Sequence, residues 1–270
     1  MVKRIVILSH ARSGASRLKQ LFFRTFNGFP KIDTELFKKN NTSLQDFLTK
    51  NKPYIPQYSS HQHTELLSNH NFKHEDPIGC LNQLSKICFD MKYKYLLFKV
   101  TPNIFNCEII QRLAKQPDIQ FLFITRNILD TYISLQKALI INKWNGVDTS
   151  NIILKLDEDK FLDYHKNYIN WIKSTHDIIK TSHAVNFYDY NNIYKANDSE
   201  KRTFLNLFKS YVDESDINLK YIQRDQLEEG EHRIQDMGKK WSDKISNSKA
   251  ISSLVKNKDL KLDASFYLNE

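Results

Sequence analysis

Residues 5–22 have the sequence IVILSHARSGASRLKQLF, and this stretch decides the fold. The apolar run over 5–8 has the length of a short buried strand, and small and polar residues follow it as far as Gly14. Apolar side chains then recur at the spacing of a helix, at Leu18, Leu21, Phe22 and Phe26. Asn27-Gly28 is a helix-ending signal. The stretch therefore predicts a central strand, a tight loop and an amphipathic helix over 16–27.

The rest of the chain continues this alternation. Apolar runs predict strands at 95–100, 119–125 and 185–188, and helical patterns occur at 78–91, 103–116, 128–143, 159–183 and 199–211. Strands that alternate with helices are typical of βαβ units, in which helices cover both faces of a parallel sheet. We therefore predict an α/β fold of three α/β/α layers around a central, mostly parallel sheet, in a single domain over 1–270. Residues 29–76 and the last 50 residues are polar. We expect residues 29–76 to be irregular with short helices, and the last 50 residues to form a surface segment or a partly mobile loop.

Composition limits the class of protein. Hydrophobic residues make up 40% of the 270 residues, which is enough for a core and excludes a wholly disordered chain. No apolar run reaches the roughly 18 residues of a membrane-spanning helix. The three cysteines, Cys80, Cys88 and Cys107, cannot form a disulfide framework, so we expect a reducing compartment and a cytoplasmic protein.

The formal net charge of +9 favours an anionic ligand or partner. Only nine of the 40 basic residues are arginines, the residue type that binds phosphate through two parallel hydrogen bonds. Three of the nine, Arg12, Arg17 and Arg126, lie in the two segments whose sequence suggests a binding site.

The segment SHARSGAS, residues 9–16, has the features of a phosphate cradle. Backbone N–H groups at the start of a helix attract an anion, and Gly14 lets the backbone approach it closely. In the GxxxxGK[ST] motif of nucleotide triphosphatases, Ser9 would be Gly and Ala15 would be the Lys that reaches the β- and γ-phosphates. The third predicted strand ends in Arg126 and not in an Asp that would hold Mg²⁺. This P-loop-like strand–loop–helix therefore favours an anion held by arginine and backbone without a metal.

Arg126 and Ser134 form a second motif in RNILDTYIS. A helix that begins near Ile128 places Ser134 in its second turn, facing the carboxyl edge of the sheet, where open α/β sheets bind their ligands. An Arg and a Ser together can bind one phosphate group. A helix cap with Arg126 in a surface ion pair is the alternative explanation. Together the two motifs predict a nucleotide with two separate phosphate groups.

With both motifs in place, the sequence resembles the sulfotransferases that use 3′-phosphoadenosine 5′-phosphosulfate. The stretch VILSHARSGASRLKQLF is similar to their 5′-phosphosulfate loop, and FLFITRNILDTYISL is similar to their 3′-phosphate motif. Weaker similarities are Thr34-Glu35-Leu36 to an acidic element, Phe98-Lys99 to a strand-borne lysine, NFYDYNNIY to a YEDL-like turn, and Trp241 in GKKWSDKI to a C-terminal Trp segment. The resemblance spans about residues 4–245. Residues 40–76 match nothing in the family and form the variable segment where acceptor recognition is expected.

The resemblance implies a role for each matching residue. Arg12 would stabilise the bridging oxygen of the donor, and Lys99 would approach the sulfuryl oxygens or the acceptor. The donor's 5′-phosphate would bind the loop residues Ser13, Gly14, Ala15, Ser16 and Arg17, and its 3′-phosphate would bind Arg126 and Ser134. Tyr188 and Trp241 lie near adenine or ribose, or in the core, and residues 222–250 form a C-terminal loop near the nucleotide. His10-Ala11 and Ala15 depart from the family's usual PRSGT pattern, and the change at Ala15 removes one side-chain bond to phosphate.

A general base must take the acceptor's proton. Glu35, which the resemblance places after the first helix, is the first candidate. His61 and His63 in YSSHQHTELL are the alternative, because an unperturbed imidazole suits this task. Each also has a structural explanation, as a helix-terminal acid for Glu35 and as ordinary loop residues for the two histidines.

The function predicted from these features is metal-free transfer of a sulfuryl group to a hydroxyl, or less readily an amine, of a carbohydrate or other small acceptor. A metal-dependent nucleotide kinase is one alternative, opposed by the missing Lys and the missing strand-end Asp. A non-enzymatic basic protein that binds nucleic acid or other polyanions is another, opposed by scattered lysines and by aromatics that keep core periodicity. We expect no nucleic-acid partner, and the sequence leaves the acceptor and the oligomeric state open.

Overall fold

A computed structural model describes residues 2–30, 46–47, 75–102, 107–144, 149–182, 186–189, 208–217 and 240–268. Its sheet consists of the parallel strands β1 (Lys3–Ser9), β2 (Tyr95–Val100), β3 (Ile119–Thr125) and β4 (Asn186–Asp189), in the order β2-β1-β3-β4. Every residue of β1 after Lys3 is buried. A strand with neighbours on both sides and helices on both faces has no solvent side, which explains its nearly continuous apolar sequence.

The direction in which successive strands are added to the sheet reverses between β1 and β3. The chain leaves β1 on one side to form β2 and then crosses to the other side to form β3. The register pairs Arg4 with Ile119 and Ser9 with Ile124, so the carboxyl ends of β1 and β3 lie side by side. Open α/β sheets bind ligands at such a reversal, because the loops leaving the two strands diverge and form a crevice.

The described helices are α1 (Ala15–Thr25), α2 (Pro77–Asp90), α3 (Cys107–Ala114), α4 (Ile128–Ile141), α5 (Glu158–Lys180) and α6 (Ser248–Asn257). Short 3₁₀ turns lie at Glu214–Asp216, Trp241–Lys244 and Ala264–Leu268. Three helix starts follow from local sequence, because the side chains of Asp76, Asn127 and Asp157 cap α2, α4 and α5. None of these helices is long and apolar enough to cross a membrane.

Alternate residues of the strands divide between two hydrophobic clusters, one on each face of the sheet. One cluster packs against α2, α3 and the end of α5, and includes the strand residues Val6, Leu8, Phe98 and Phe121. The other packs against α1 and residues 208–212, and includes the strand residues Ile5, Ile7, Leu97 and Leu122. Helices therefore cover both faces of a parallel sheet, which confirms the predicted α/β class and its three layers.

The predicted elements agree closely with the structure. β2 and β3 have the predicted bounds, and β1 is longer than the predicted 5–8 because its flanking residues also pair. α1, α2, α4 and α5 differ from their predicted bounds by at most three residues at either end. Most of the predicted irregular region 29–76 and of the predicted helix 199–211 lies outside the described residues.

The C-terminal residues differ from the expected surface segment. Residues 240–268 form α6 and two 3₁₀ turns, and their apolar side chains enter the core. Ile251 joins a cluster with α4, Leu268 joins one with α5, and Lys244 forms a 3.1 Å ion pair with Asp130 of α4. The sequence shows little sign of this packing. A helix that buries only a narrow stripe needs few apolar side chains, and in α6 these lie among Ser and Lys residues.

Ile251→Ala should lower the free energy of unfolding by about 2–5 kcal/mol, because Ile251 is 0% exposed and the change leaves a cavity. Ile140→Ala is the matched control, since it removes the same atoms from a side chain of α4 that is 66% exposed, and should change stability by less than about 0.5 kcal/mol. Urea unfolding followed by circular dichroism measures both. Equal effects would show that α6 is not part of the core.

Candidate functional site

The carboxyl edge between β1 and β3 gathers residues of both sequence motifs. Residues 10–14 connect β1 to α1, and Arg126 lies between β3 and α4. Arg126 Nη1 donates a hydrogen bond to the backbone carbonyl oxygen of Arg12 at 2.9 Å. Arg12 Nε in turn donates to Ser134 Oγ, on the second turn of α4, at 3.1 Å. The structure therefore brings Arg12, Arg126 and Ser134 into one connected group.

The Arg12 side chain links the two motifs directly. Besides Ser134, its guanidinium donates through Nη1 to the backbone carbonyl of Trp144, beyond the end of α4. Arg12 thus lies against the hydroxyl that the sequence assigned to a different phosphate group. The loop after β1 and the motif after β3 consequently form one continuous positively charged edge, in which Arg12 contacts Ser134 and Arg126 contacts the Arg12 backbone.

The loop itself has an unusual backbone. Arg12 and Gly14 both have left-handed conformations, with φ of 68° and 89°. For Gly14 this conformation carries no steric cost, whereas for Arg12 it costs roughly 1–3 kcal/mol, a strain that is common at binding sites. Ser13 lies between them, and its N–H donates to the His10 carbonyl at 3.2 Å. Alternation of right- and left-handed residues builds a concave nest of backbone N–H groups, the geometry that binds anions in many proteins.

The first turn of α1 is open to a ligand. Its first intrahelical N–H bond is that of Leu18 to the Gly14 carbonyl, so the N–H groups of Ala15, Ser16 and Arg17 have no partner within the helix. Gly14 provides no capping side chain, and the first turn contains no acidic residue. Side chains cap α2, α4 and α5, whereas α1, like α6, begins without a side-chain cap. The positive end of the α1 dipole therefore has no side-chain acceptor at its cap position.

His10 lies in an aromatic cluster on α5. Its ring stacks on Tyr168 at 4.5 Å and meets Tyr164 and Trp171 edge-on, at 5.1 and 6.3 Å. The Tyr164 hydroxyl and His10 Nδ1 share a hydrogen bond of 3.1 Å. Burial lowers the pKa of His10 to about 4, and a hydrogen bond with the Ala11 backbone opposes this only in part. The imidazole is therefore neutral at physiological pH, and its weak basicity makes it a poor general base.

The aromatic cluster extends under the loop. Tyr168 is fully buried, and burial raises its pKa to about 12, while the Ser13 hydroxyl and the charge and backbone N–H of Arg126 oppose the rise. Burial also raises the pKa of Tyr164 well above its usual value, and the charge of Arg126 again opposes the change. Both phenols therefore stay protonated, and the charge of this part of the site comes from its arginines.

The structure places the remaining described candidates further out. Lys99 pairs in register with Ile7 near the end of β2, so strand alternation puts it on the α1 face of the sheet. Tyr188 is 5% exposed and packs against Phe208 at 5.9 Å between ring centroids, which makes it a core residue of that face. Trp241 begins a 3₁₀ turn and packs on the cluster between α4 and α6.

Several predicted residues lie outside the described part of the chain. These are Glu35, His61 and His63, together with the side chain of Arg17, and most of the segment 40–76 and of the segment 222–250. Their roles stay predictions.

Sequence reasoning missed His10, Tyr164 and Tyr168 as residues of this edge. The sequence marks His10 only as a departure from the family's pattern, and it places the two tyrosines only within the predicted helix 159–183. Their spacing of four residues gave a signal, because it places both on one stripe of α5. What the sequence does not reveal is that this stripe faces the loop, since His10 and Tyr164 are 154 residues apart in the chain.

Comparisons with known proteins do not assign this chain to a family. A scan against models of known protein families finds no match for this chain, and a search of curated proteins finds no significant match.

The low pKa of His10 predicts loss of stability in mild acid. The unfolded chain protonates this histidine near its usual pKa of 6.5 and the folded chain only near 4, so stability is complete above pH 6.5 and falls as the pH decreases toward 4. The contribution of His10 to this loss is about 2 kcal/mol between pH 7.5 and pH 5. His10→Phe keeps the ring packing and removes the titration, so urea unfolding at the two pH values should show a smaller loss in the variant. An unchanged loss would contradict the assignment.

Proposed function

We propose that this chain is a sulfotransferase that moves the sulfuryl group of 3′-phosphoadenosine 5′-phosphosulfate to a hydroxyl of a carbohydrate or other small acceptor. The observation that carries the proposal is the convergence of Arg12, Arg126 and Ser134 at the reversal between β1 and β3, beside the uncapped start of α1. The resemblance of both motifs to that family supports it independently.

The site's residues suit a nucleotide with a phosphate at each end of its ribose. The backbone N–H groups at the start of α1, with the Ser16 hydroxyl, bind the 5′-phosphate. Arg126 and Ser134 bind the 3′-phosphate, the Arg through a charge-assisted hydrogen bond. Because Arg12 bonds to Ser134 in the structure, the two phosphate positions are neighbours, and one ligand can occupy both. Arg12 exchanges its bond to Ser134 for the ligand when it stabilises the departing phosphate.

The reaction breaks the bond between sulfur and the 5′-phosphate oxygen, and forms a bond between sulfur and the acceptor oxygen. The acceptor's proton passes to a base, and the products are adenosine 3′,5′-bisphosphate and a sulfate ester. In-line positioning and charge stabilisation supply most of the rate enhancement in transfers of this kind. Arg12 stabilises the charge that develops on the leaving phosphate, and Lys99 approaches the sulfuryl oxygens. Glu35 is the first candidate for the base, with His61 and His63 as alternatives.

A nucleotide kinase is the rival that the residues support less well. Its loop would need a Lys where this chain has Ala15, and its third strand would end in an Asp where this chain has Arg126. Both differences remove residues that bind Mg²⁺ or a triphosphate.

Adenosine 3′,5′-bisphosphate should raise the melting temperature of the protein in the presence of EDTA, because the proposed site holds both phosphates without a metal. At a concentration 100 times its dissociation constant, a ligand adds about 2.7 kcal/mol of stability, which corresponds to a shift of several degrees. Differential scanning fluorimetry measures the shift. ATP with Mg²⁺ is the comparison ligand, and a shift produced by ATP with Mg²⁺ alone would reject the sulfotransferase in favour of the kinase.

Arg126→Ala should weaken binding of adenosine 3′,5′-bisphosphate roughly 10- to 150-fold more than binding of adenosine 5′-phosphate. The lost charge-assisted bond to the 3′-phosphate is worth about 1.5–3 kcal/mol, and the monophosphate never makes it. Some loss for both ligands is expected, because Arg126 also holds the loop carbonyl. Isothermal titration calorimetry measures the four dissociation constants.

Lys180→Ala is the matched control for charge. It also removes one positive charge, but Lys180 is the last residue of α5, which leads into the start of β4 at the opposite edge of the sheet. This variant should bind both nucleotides as the wild type does. If Arg126→Ala weakens both ligands equally, the assignment of Arg126 to the 3′-phosphate is wrong.

A further inference from the structure

Two hydroxyl groups under the loop are buried and make no hydrogen bond of normal geometry within the described structure. They belong to Ser13, which is 1% exposed, and to Tyr168, which is fully buried. A buried polar group without a partner costs roughly 1–3 kcal/mol, so native proteins rarely keep one without a purpose. Here the two belong to different elements, the loop after β1 and the helix α5.

The two hydroxyls lie together, next to Arg126. Tyr168 stacks on His10, whose carbonyl accepts the N–H of Ser13, so the tyrosine ring lies directly below the loop. The Ser13 hydroxyl and the backbone N–H of Arg126 both lie close enough to the Tyr168 oxygen to affect its ionisation. Three donors from three elements therefore converge on one place.

This group has more donors than acceptors. If Ser13 and the Arg126 N–H both donate to the Tyr168 oxygen, the Tyr168 proton has no acceptor within the group, and the reverse arrangement leaves the Ser13 proton without one. The charge of Arg126 makes the place favourable for a negative oxygen. The negative charge of Asp189, at the end of β4, has the opposite effect and raises the pKa of Tyr168. An anionic oxygen placed beside the two hydroxyls would accept a hydrogen bond from both Ser13 and Tyr168.

We infer that Tyr168 and Ser13 form an oxyanion pocket that binds one oxygen of the phosphate held by the loop, with the Tyr168 hydroxyl as its deepest donor. The ligand class is a tetrahedral oxyanion, either inorganic or the phosphate of a nucleotide. Both hydroxyls are closed off from solvent in the structure. Binding an oxygen there therefore requires residues 10–14 to shift outward. This inference deepens the proposed function and rests on it only in requiring a phosphate at the loop.

The pocket predicts opposite effects on stability and on binding. Tyr168→Phe keeps the stacking on His10 and removes an unpartnered hydroxyl, so the free protein should be as stable as the wild type or more stable. The same change removes a donor to the anion, so phosphate should bind about tenfold more weakly, a loss of about 1.4 kcal/mol. Ser13→Ala should likewise leave the free protein as stable or more stable, and should weaken phosphate binding. If Tyr168 had only a structural role, its substitution would not weaken phosphate binding while leaving the free protein as stable as the wild type.

Thr175→Val is the matched control. Thr175 lies seven residues after Tyr168 on α5, is fully buried, and also has a hydroxyl without a partner. Removing that hydroxyl should leave stability equal or higher and should leave phosphate binding unchanged. The stability of each variant is measured by urea unfolding, and binding by the shift in melting temperature over a titration of sodium phosphate, with the ionic strength held constant by sodium chloride.

The outcomes separate this inference from the proposed function. Phosphate binding by Tyr168→Phe within twofold of the wild type would overturn the pocket, and so would a marked loss of stability in that variant. If the wild type binds inorganic phosphate but not adenosine 3′,5′-bisphosphate, the proposed function fails and the pocket stands. If the bisphosphate binds the wild type and Tyr168→Phe equally, the pocket fails and the proposed function stands. A wild type that binds neither anion rejects both.

Discussion

The hydrogen bond from the Arg126 guanidinium to the carbonyl oxygen of Arg12 is the interaction on which the candidate site depends. It joins the end of β3 to the loop after β1, and the parallel register of the two strands fixes the distance it must span. A charged donor makes this bond stronger than a neutral one. With the carbonyl held in this way, Arg12 keeps its left-handed backbone, and its side chain extends away from the loop to Ser134. The start of α1 is then left open at the centre of the edge.

α5 contributes an uncharged aromatic wall to the candidate site, whereas Arg12 and Arg126 contribute its positive charge. Its inward stripe presents Tyr164, Tyr168 and Trp171 to His10, so one wall of the site is aromatic and carries no charge. Burial keeps the histidine neutral and both phenols protonated. The positive potential at this edge therefore comes from Arg12 and Arg126, whose charge is constant over the physiological pH range. The aromatic wall excludes water and strengthens the electrostatic interactions beside it.

The layers of the fold were predictable because their signals are local. β2 and β3 are buried on both faces, and such strands show unbroken apolar runs with clear ends. α6 was missed because its stripe of apolar residues is narrow, and only the surfaces of α4 and α5 reveal what it buries. The sequence also predicted that Arg12, Arg126 and Ser134 bind anions, and the structure brings these three residues together. It assigned Arg12 and Ser134 to separate phosphates, because residues 122 positions apart carry no sign that one long side chain bridges them.

The position of β1 in the sheet has a consequence for how the chain folds. The first strand in sequence is central, yet its partners begin at Tyr95 and Ile119, about ninety or more residues later. At the usual rate of synthesis, several seconds pass before β2 leaves the ribosome, and more before β3 does. Throughout that time an apolar strand with both edges unpaired is exposed, the kind of segment that associates with other chains. Pairings between distant segments also slow folding itself. We therefore expect this chain to be most vulnerable to aggregation while it is being made, and to depend on chaperones then more than after the sheet has closed.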